Sequence, residues 1–254
     1  MINLSGFYTL FHKELKRFGK VALQTVLAPV ITALLYLLVF SHVLDEHVTV
    51  YEGVSYTAFL IPGLMMMSII QNAFANASSS LIQSKVTGNV VFVLLAPLSY
   101  IEFYLAFLMA SIVRGLAVGL GIFIVAGFFV DLPLSNIFFL MAFAFLSSAV
   151  LGSLGIIAGI WADKFDHLAS FQNFIIMPLS FLSGVFYSIH SLPSVWQTLS
   201  HFNPFFYMID GFRYGFFGVA DVSPMISLGV VFVTWLILGA ITLKMLASGY
   251  KLRS

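Results

Sequence analysis

The stretch YLAFLMASIVRGLAVGLGIFIVAGFFV, Tyr104 to Val130, is followed by the linker DLPLSN around Pro133 and then by IFFLMAFAFLSSAVLGSLGIIAGIWA, Ile137 to Ala162. Each apolar block is long enough to cross a bilayer core, which takes ~20 apolar residues at ~1.5 Å rise each. The only charge in either block is Arg114. Neither block alternates apolar and polar positions, and backbone polar groups in lipid must be satisfied within the segment, so both read as membrane-spanning helices. Four further segments qualify outward from this pair: Val21 to Ser41, Tyr56 to Ala77, Leu168 to Ser188 and Met225 to Ala247. The expectation is an all-α integral membrane protein with six transmembrane helices in one domain, 1–254.

Composition agrees. Of 254 residues 61 % are hydrophobic and 8 % charged, against roughly 25 % charged in a soluble domain. That leaves too little polar surface for a water-soluble fold and too little charge for disorder. Cysteine is absent, which excludes disulfides, thiolate metal sites and redox pairs. Beyond the N-terminal cluster there is no basic run, so no nucleic-acid partner is expected.

Basic residues set the orientation. Lys13, Lys16, Arg17 and Lys20 precede the first span, Lys85 and Lys164 lie in the second and fourth loops, and Lys244, Lys251 and Arg253 end the chain. One side therefore collects nine of the eleven Lys and Arg, and both termini are expected to be cytoplasmic. The opposite loops carry Asp45, Glu46, Glu52, Asp131, Asp210 and Asp221, with Arg213 their only basic residue. The N-terminus is not read as a cleavable signal, since its apolar segment is too long and no small-x-small site follows. Leu4, Phe7, Tyr8, Phe11, Leu15 and Phe18 instead share one helical face, with His12, Lys13, Lys16 and Arg17 off it. Residues 1–20 are thus expected to form an amphipathic helix lying on the inner surface among membrane lipids.

Two loops are unusual. The inner loop 82–99 holds Lys85, Gly88-Asn89 and the apolar run Val90 to Ala96, including Phe92, closed by Pro97. The run is too short to span and too apolar to sit bare in water, which marks an interaction surface. The outer segment 190–222 is broken by Pro193 and Pro204, carries Asn203 and a dense aromatic stretch from Phe205 to Phe217, and places Asp210 and Arg213 three apart, close enough to pair on a helix. It reads as a re-entrant helical hairpin in the outer leaflet.

Catalytic signatures are missing. Gly19-Lys20 lacks the rest of a Walker A loop, and His-Glu-x-x-His does not occur. His42 and His47 beside Asp45 and Glu46 read as solvated loop residues rather than metal ligands. Ser183-Gly184 lacks the preceding glycine of a nucleophile motif and reads as a helix contact. The chain is not expected to be an enzyme or to hold a cofactor. What remains are polar residues within spans: Gln71, Asn72 and Asn76 in the second, Gln172, Asn173, Ser180 and Ser183 in the fifth, and the intramembrane charge Arg114. Asn72, Asn76, Gln172, Asn173 and Ser183 either line a translocation path or bond between helices. Arg114 either snorkels or pairs across helices, or meets a lipid phosphate or anionic substrate. Three Gly-x-x-x-Gly pairs, at 115/119, 155/159 and 211/215, allow close packing within the bundle or between subunits.

Ile61-Pro62-Gly63-Leu64-Met65-Met66-Met67, Ala96-Pro97-Leu98, Gly184-Val185-Phe186-Tyr187-Ser188 with Leu192-Pro193 and Trp196, and above all Asn203-Pro204, Tyr207-Met208, Gly211-Phe212-Arg213-Tyr214-Gly215 and Gly218 carry a resemblance. Over nearly its whole length the chain resembles the permease subunit of type-2 ABC exporters, in the YadH-like branch. The resemblance implies a homodimeric bacterial inner-membrane permease bound to two copies of a separate ABC ATPase, which would hold the ATP and Mg. It makes 82–97 a coupling helix, with Lys85, Asn89, Phe92 and Pro97 as candidate ATPase contacts and the surface helix as a second contact. Asn203, Pro204, Asp210 and Arg213 become the signature of the outer hairpin. One departure stands out: relatives carry charged residues in the middle of the coupling segment, where this chain has Val90, Val91, Phe92 and Val93. The rival reading, an ion-coupled secondary transporter, wants mid-span carboxylates and inverted repeats, which the sequence does not offer.

Overall fold

The computed structural model describes residues 4–44, 51 and 53–251. Asp45, Glu46, His47 and Glu52, and the side chain of His42, lie outside the described residues. Most of the described chain is helical: α1 (Leu4–Gly19), α2 (Ala22–Leu44), α3 (Tyr56–Val86), α4 (Val90–Leu95), α5 (Tyr100–Ala126), α6 (Ile137–Trp161), α7 (Phe165–Phe171), a π-helical turn (Gln172–Ile176), α8 (Met177–Phe181), a 3-10 turn (Ile189–Ser191), α9 (Ser194–His201), α10 (Pro204–Phe217) and α11 (Pro224–Ser248). Among the described residues five helices, α2, α3, α5, α6 and α11, are long and apolar enough to cross a membrane.

Local chemistry sets the ends. Ser55 caps α3 by accepting the Ala58 N–H at 3.2 Å. Ser99 and Glu102 form a reciprocal capping box, which starts α5 at Tyr100, four residues before the apolar run suggests. α3 runs nine residues past Ala77 and carries Ser78 and Ser79 with their hydroxyls bonded back to the carbonyls of Phe74 and Ala75, so these polar groups are satisfied within the helix. Gly88, at φ +74°, turns the chain into α4.

The fifth apolar segment differs from the straight helix expected over Leu168 to Ser188. It is helical over 165–181, about 25 Å at 1.5 Å per residue, and is interrupted on the way. Pro178 has no N–H to give, and the Met177 N–H reaches five residues back to Gln172 O across the π turn. The helix stops at Leu182, and Gly184 (φ +76°) sends the chain into an extended stretch.

α3 is the axis of the bundle. α5 and α6 pack along it, α2 and α10 close its Tyr56 end, and α11 lies against α6 and α10. All three glycine pairs serve these contacts. A Cβ on Gly115 would sit 3.0 Å from Ile69 O, one on Gly155 2.5 Å from Phe74 O, and one on Gly211 about 2.0 Å from the Phe143 ring. The pairs therefore join α5 to α3, α6 to α3 and α10 to α6.

Candidate functional site

Although α3 is buried along most of its length, one stripe stays half open: Met67, Ser68, Gln71, Asn72, Ala75 and Ser79. These positions recur at three and four residues and so form one face. The face is polar at its centre and meets the fifth segment, where Gln71 Nε2 approaches Met177 Sδ at 3.5 Å. Asn72 Nδ2 donates to Ser68 O at 3.0 Å, and its Oδ1 accepts from Arg114 of α5 at 3.3 and 3.4 Å. Gln172 is half exposed and Asn173 exposed. Asn76 and Ser183, read from the sequence with this group, are instead fully buried. Asn76 donates to Ser111 Oγ at 3.5 Å, and Ser183 Oγ donates to Ser180 O. Both are interhelical or local bonds rather than an open lining.

α1 supplies a partner that the sequence pattern hid. Its protein-facing side is not the stripe of Leu4 and Tyr8, which are exposed, but Leu10, Glu14 and Arg17. Glu14 is completely buried and accepts from Arg17 Nε at 3.0 Å and from Ser80 Oγ at 2.9 Å, with Lys13 Nζ at 3.5 Å. Arg17 in turn donates to Asn76 O at 2.7 Å and Asn76 Oδ1 at 2.9 Å. The detectable signal was the spacing: Glu14 is the one acid among the N-terminal cations, three residues before Arg17.

At the same end lies α4. Val90 is tucked in, whereas Phe92 is 74 % and Leu95 77 % exposed; Asn89 and Pro97 are exposed too. A cavity of about 340 Å³ opens between α1 and α3, bordered by Lys13, Arg17, Gln83, Asn89 and Phe92. Lys85 points elsewhere. Its ammonium donates to the α6 C-terminal carbonyls of Ile160 (3.0 Å) and Ala162 (2.6 Å) and meets Asp163 at 3.3 Å, a cation placed at a helix C-terminus. Lys251 closes on the same Asp163 at 2.9 Å. Hydrogen bonds from Lys251, then Lys85, hold the Asp163 carboxyl below the usual carboxylate range.

The opposite end is tied by two carboxylates. Asp210 of α10, buried, accepts the backbone N–H groups of Asp221 (2.8 Å) and Val222 (3.0 Å). Asp221 accepts from Ser188 Oγ at 2.8 Å, from Ile189 N–H at 2.8 Å and from the Tyr51 hydroxyl at 2.9 Å. Burial pushes the Tyr51 hydroxyl well above its ordinary value, so it remains a donor. The expected pair of Asp210 with Arg213 does not form among the described residues: the two side chains leave the helix toward different partners. Arg213 is 1 % exposed, donates to Gly184 O at 2.9 Å and lies over the Phe59 ring at 3.7 Å. Asn203 caps α10 through the Phe205 N–H (3.0 Å) and donates to Leu179 O (2.7 Å), with Pro204 as the first helical residue. The hairpin signature is thus a set of bonds that seat α10 against α3, the fifth segment and the Asp221 loop.

Residues 5–217 match the family described as ABC-2 type transporter. The chain is 38 % identical to the inner membrane transport permease YadH of Escherichia coli (strain K12), over 97 % of this chain and 96 % of that one. It is also 27 % identical to nodulation protein J of Rhizobium leguminosarum bv. trifolii, over 76 % and 74 % of the two chains, and 24 % identical to nodulation protein J of Rhizobium meliloti (strain 1021), over 83 % and 79 %.

Proposed function

The chain belongs to the ABC-2 type transporter family, and from that premise we propose that it is the permease subunit of an ATP-driven exporter in a bacterial inner membrane. It would act as a homodimer with two copies of a separate ABC ATPase that holds ATP and Mg. The fifth segment counts as the sixth span in this reading, both termini face the cytoplasm, and α9 with α10 forms a re-entrant outer hairpin. At 14 residues, about 21 Å, α10 is short of a ~30 Å bilayer core.

The observation that carries the reading is α4. A one-and-a-half-turn helix that exposes Phe92 and Leu95 beside a cationic cavity has no reason to remain bare in water, and it sits at the end of α3, the helix on which the bundle is built. Asn89, Phe92 and Pro97 would meet the ATPase there, with α1 beside them and Lys85 holding the seat of α4 against α6. Closure of the ATPase dimer would push α4 and rock the two permease copies. Cargo, whether lipid, glycolipid, polysaccharide or hydrophobic small molecule, would pass along the half-open α3 stripe and the facing fifth segment, and leave beside the outer hairpins. The buried positions of Asn76 and Ser183 move the path toward Ser68, Gln71, Asn72, Gln172 and Asn173.

Gentle purification of the tagged chain from its native membrane, followed by mass spectrometry, tests this. A stoichiometric companion bearing a Walker A loop, lost in Phe92→Asp, is the expected result. A preparation free of any ATPase, in several detergents and in nanodiscs, would overturn it and return the ion-coupled transporter to the front.

A further inference from the structure

Three arginines of this chain engage the bundle; Arg213 keeps a buried Nε without a partner but is closed off at 1 % exposure, whereas Arg114 stands on a half-open face. Arg213 has carbonyl oxygens and an aromatic face, and Arg17 has a carboxylate, a carbonyl and an amide oxygen. Arg114 contacts a single acceptor, Asn72 Oδ1, with two of its nitrogens at 3.3 and 3.4 Å, both at the long end for a hydrogen bond. Among the described residues no carboxylate lies within 4 Å of it. A second cation, Arg17, binds Asn76 one helical turn further along α3. Lys13 and Arg17 share the carboxylate of Glu14.

The side chain is half buried and reaches the one open stripe of α3. A guanidinium presents five N–H donors in a planar fork, and Asn72 takes up only part of that fork. What the remaining donors match is an oxyanion bound in two-pronged fashion. The depth restricts who can bring it. Arg17 places α1 at the level of Asn76 to Ser80, and the exposed Leu4 and Tyr8 of α1 mark the inner interface. Asn72 lies about 6 Å deeper, at one turn of 5.4 Å pitch, where headgroups meet acyl chains.

We propose that Arg114, held by Asn72 beside the open α3 stripe, is a binding site for the phosphate-type oxyanion of an amphiphile reaching that stripe from the inner leaflet. The amphiphile is either a resident phospholipid or the cargo; the cargo arm rests on the exporter reading above, whereas the binding itself does not.

The full-length protein in neutral detergent is mixed with phosphatidylglycerol or with phosphate-free diacylglycerol of the same chains, and retained lipid is counted by native mass spectrometry. Phosphatidylglycerol is retained and diacylglycerol is not. Arg114→Gln lowers retention about tenfold, the effect of one charge-assisted hydrogen bond; Arg114→Lys keeps part of it, and Lys244→Gln leaves it unchanged. Equal retention of both lipids, or undiminished retention in folded Arg114→Gln, overturns the site. Should Arg114→Gln fail to fold, sodium sulfate is titrated against the wild-type complex: displacement of the lipid supports the site and indifference overturns it. With the co-purified ATPase present, release on adding ATP identifies the lipid as cargo, and retention identifies a resident phospholipid. Lipid binding in this assay together with a native-membrane preparation free of any ATPase would refute the exporter and leave this site standing.

Discussion

Gly155 sits where α6 crosses α3 with no room for a side chain, a Cβ there meeting Phe74 O at 2.5 Å and Phe74 Cα at 3.2 Å. The obstacle is backbone on a buried helix and cannot swing aside. Gly155→Val is therefore expected to cost about 3 kcal/mol or more, the upper end of overpacking, seen as loss of the folded fraction in detergent melts. Gly229 of α11 has nothing within 4 Å, so Gly229→Ala should be neutral or gain up to about 1 kcal/mol from helix propensity. A wild-type melt for the first, or a collapse for the second, would sink this account of the packing. The spacing of the glycine pairs was legible in the sequence, but their partners were not, because close approach is a property of two helices and the pattern describes one. Arg114 shows the same limit: its cost in a span was plain, while the lack of a carboxylate partner among the described residues depends on which helices surround it.

The elements were read best where hydrophobicity alone decides. α2, α6 and α11 begin and end within about three residues of the apolar segments, since length and greasiness suffice to define them. Reading failed where a polar contact outweighs the pattern. The apolar periodicity of α1 predicts a helix lying on the membrane surface and says nothing of Glu14, which is buried against Arg17 and Ser80. That makes α1 a docked element rather than a floating one. Glu14→Gln strips the partly exposed Arg17 of its counter-charge and should destabilise by about 1 kcal/mol, the loss of charge-assisted hydrogen bonds; faster tryptic cleavage at Lys13, Lys16 and Lys20, alongside a lowered melting temperature, checks it. An unchanged digestion rate would mean that α1 is held by its apolar contacts instead. At the far end of α11 the Asp163 clasp has a defined pH sense. Its carboxyl is held low by Lys251 and Lys85, so its contribution is present above the ordinary value near 4 and disappears as pH falls through the lowered one. Asp163 is exposed, and the effect is correspondingly small. The protection factors of the Gly249 and Tyr250 amides, taken relative to intrinsic exchange at each pH, should fall in acid, and Asp163→Asn should show the lowered protection already at neutral pH.

For the molecule as a whole, sidedness is the property that both the charges and the fold address. The α4 end carries Lys85, Lys251 and α1; the α10 end carries the Asp210 and Asp221 bonds. Because the chain has no native cysteine, single cysteines report without background. Asn89→Cys should label only from the cytoplasmic side and Thr198→Cys only from the outside, and labelling of both from one side would undo the six-span topology. The same architecture has a mechanical reading. α3 has 31 residues, about 46 Å of rigid rod at 1.5 Å per residue, against a hydrocarbon core of ~30 Å. The surplus projects at the α4 end like the handle of a crank. A tilt of about 10° around the rod's midpoint, near Gln71, swings each tip by roughly 4 Å, so a shove on α4 at one tip would reappear at the Tyr56 tip without any helix having to bend.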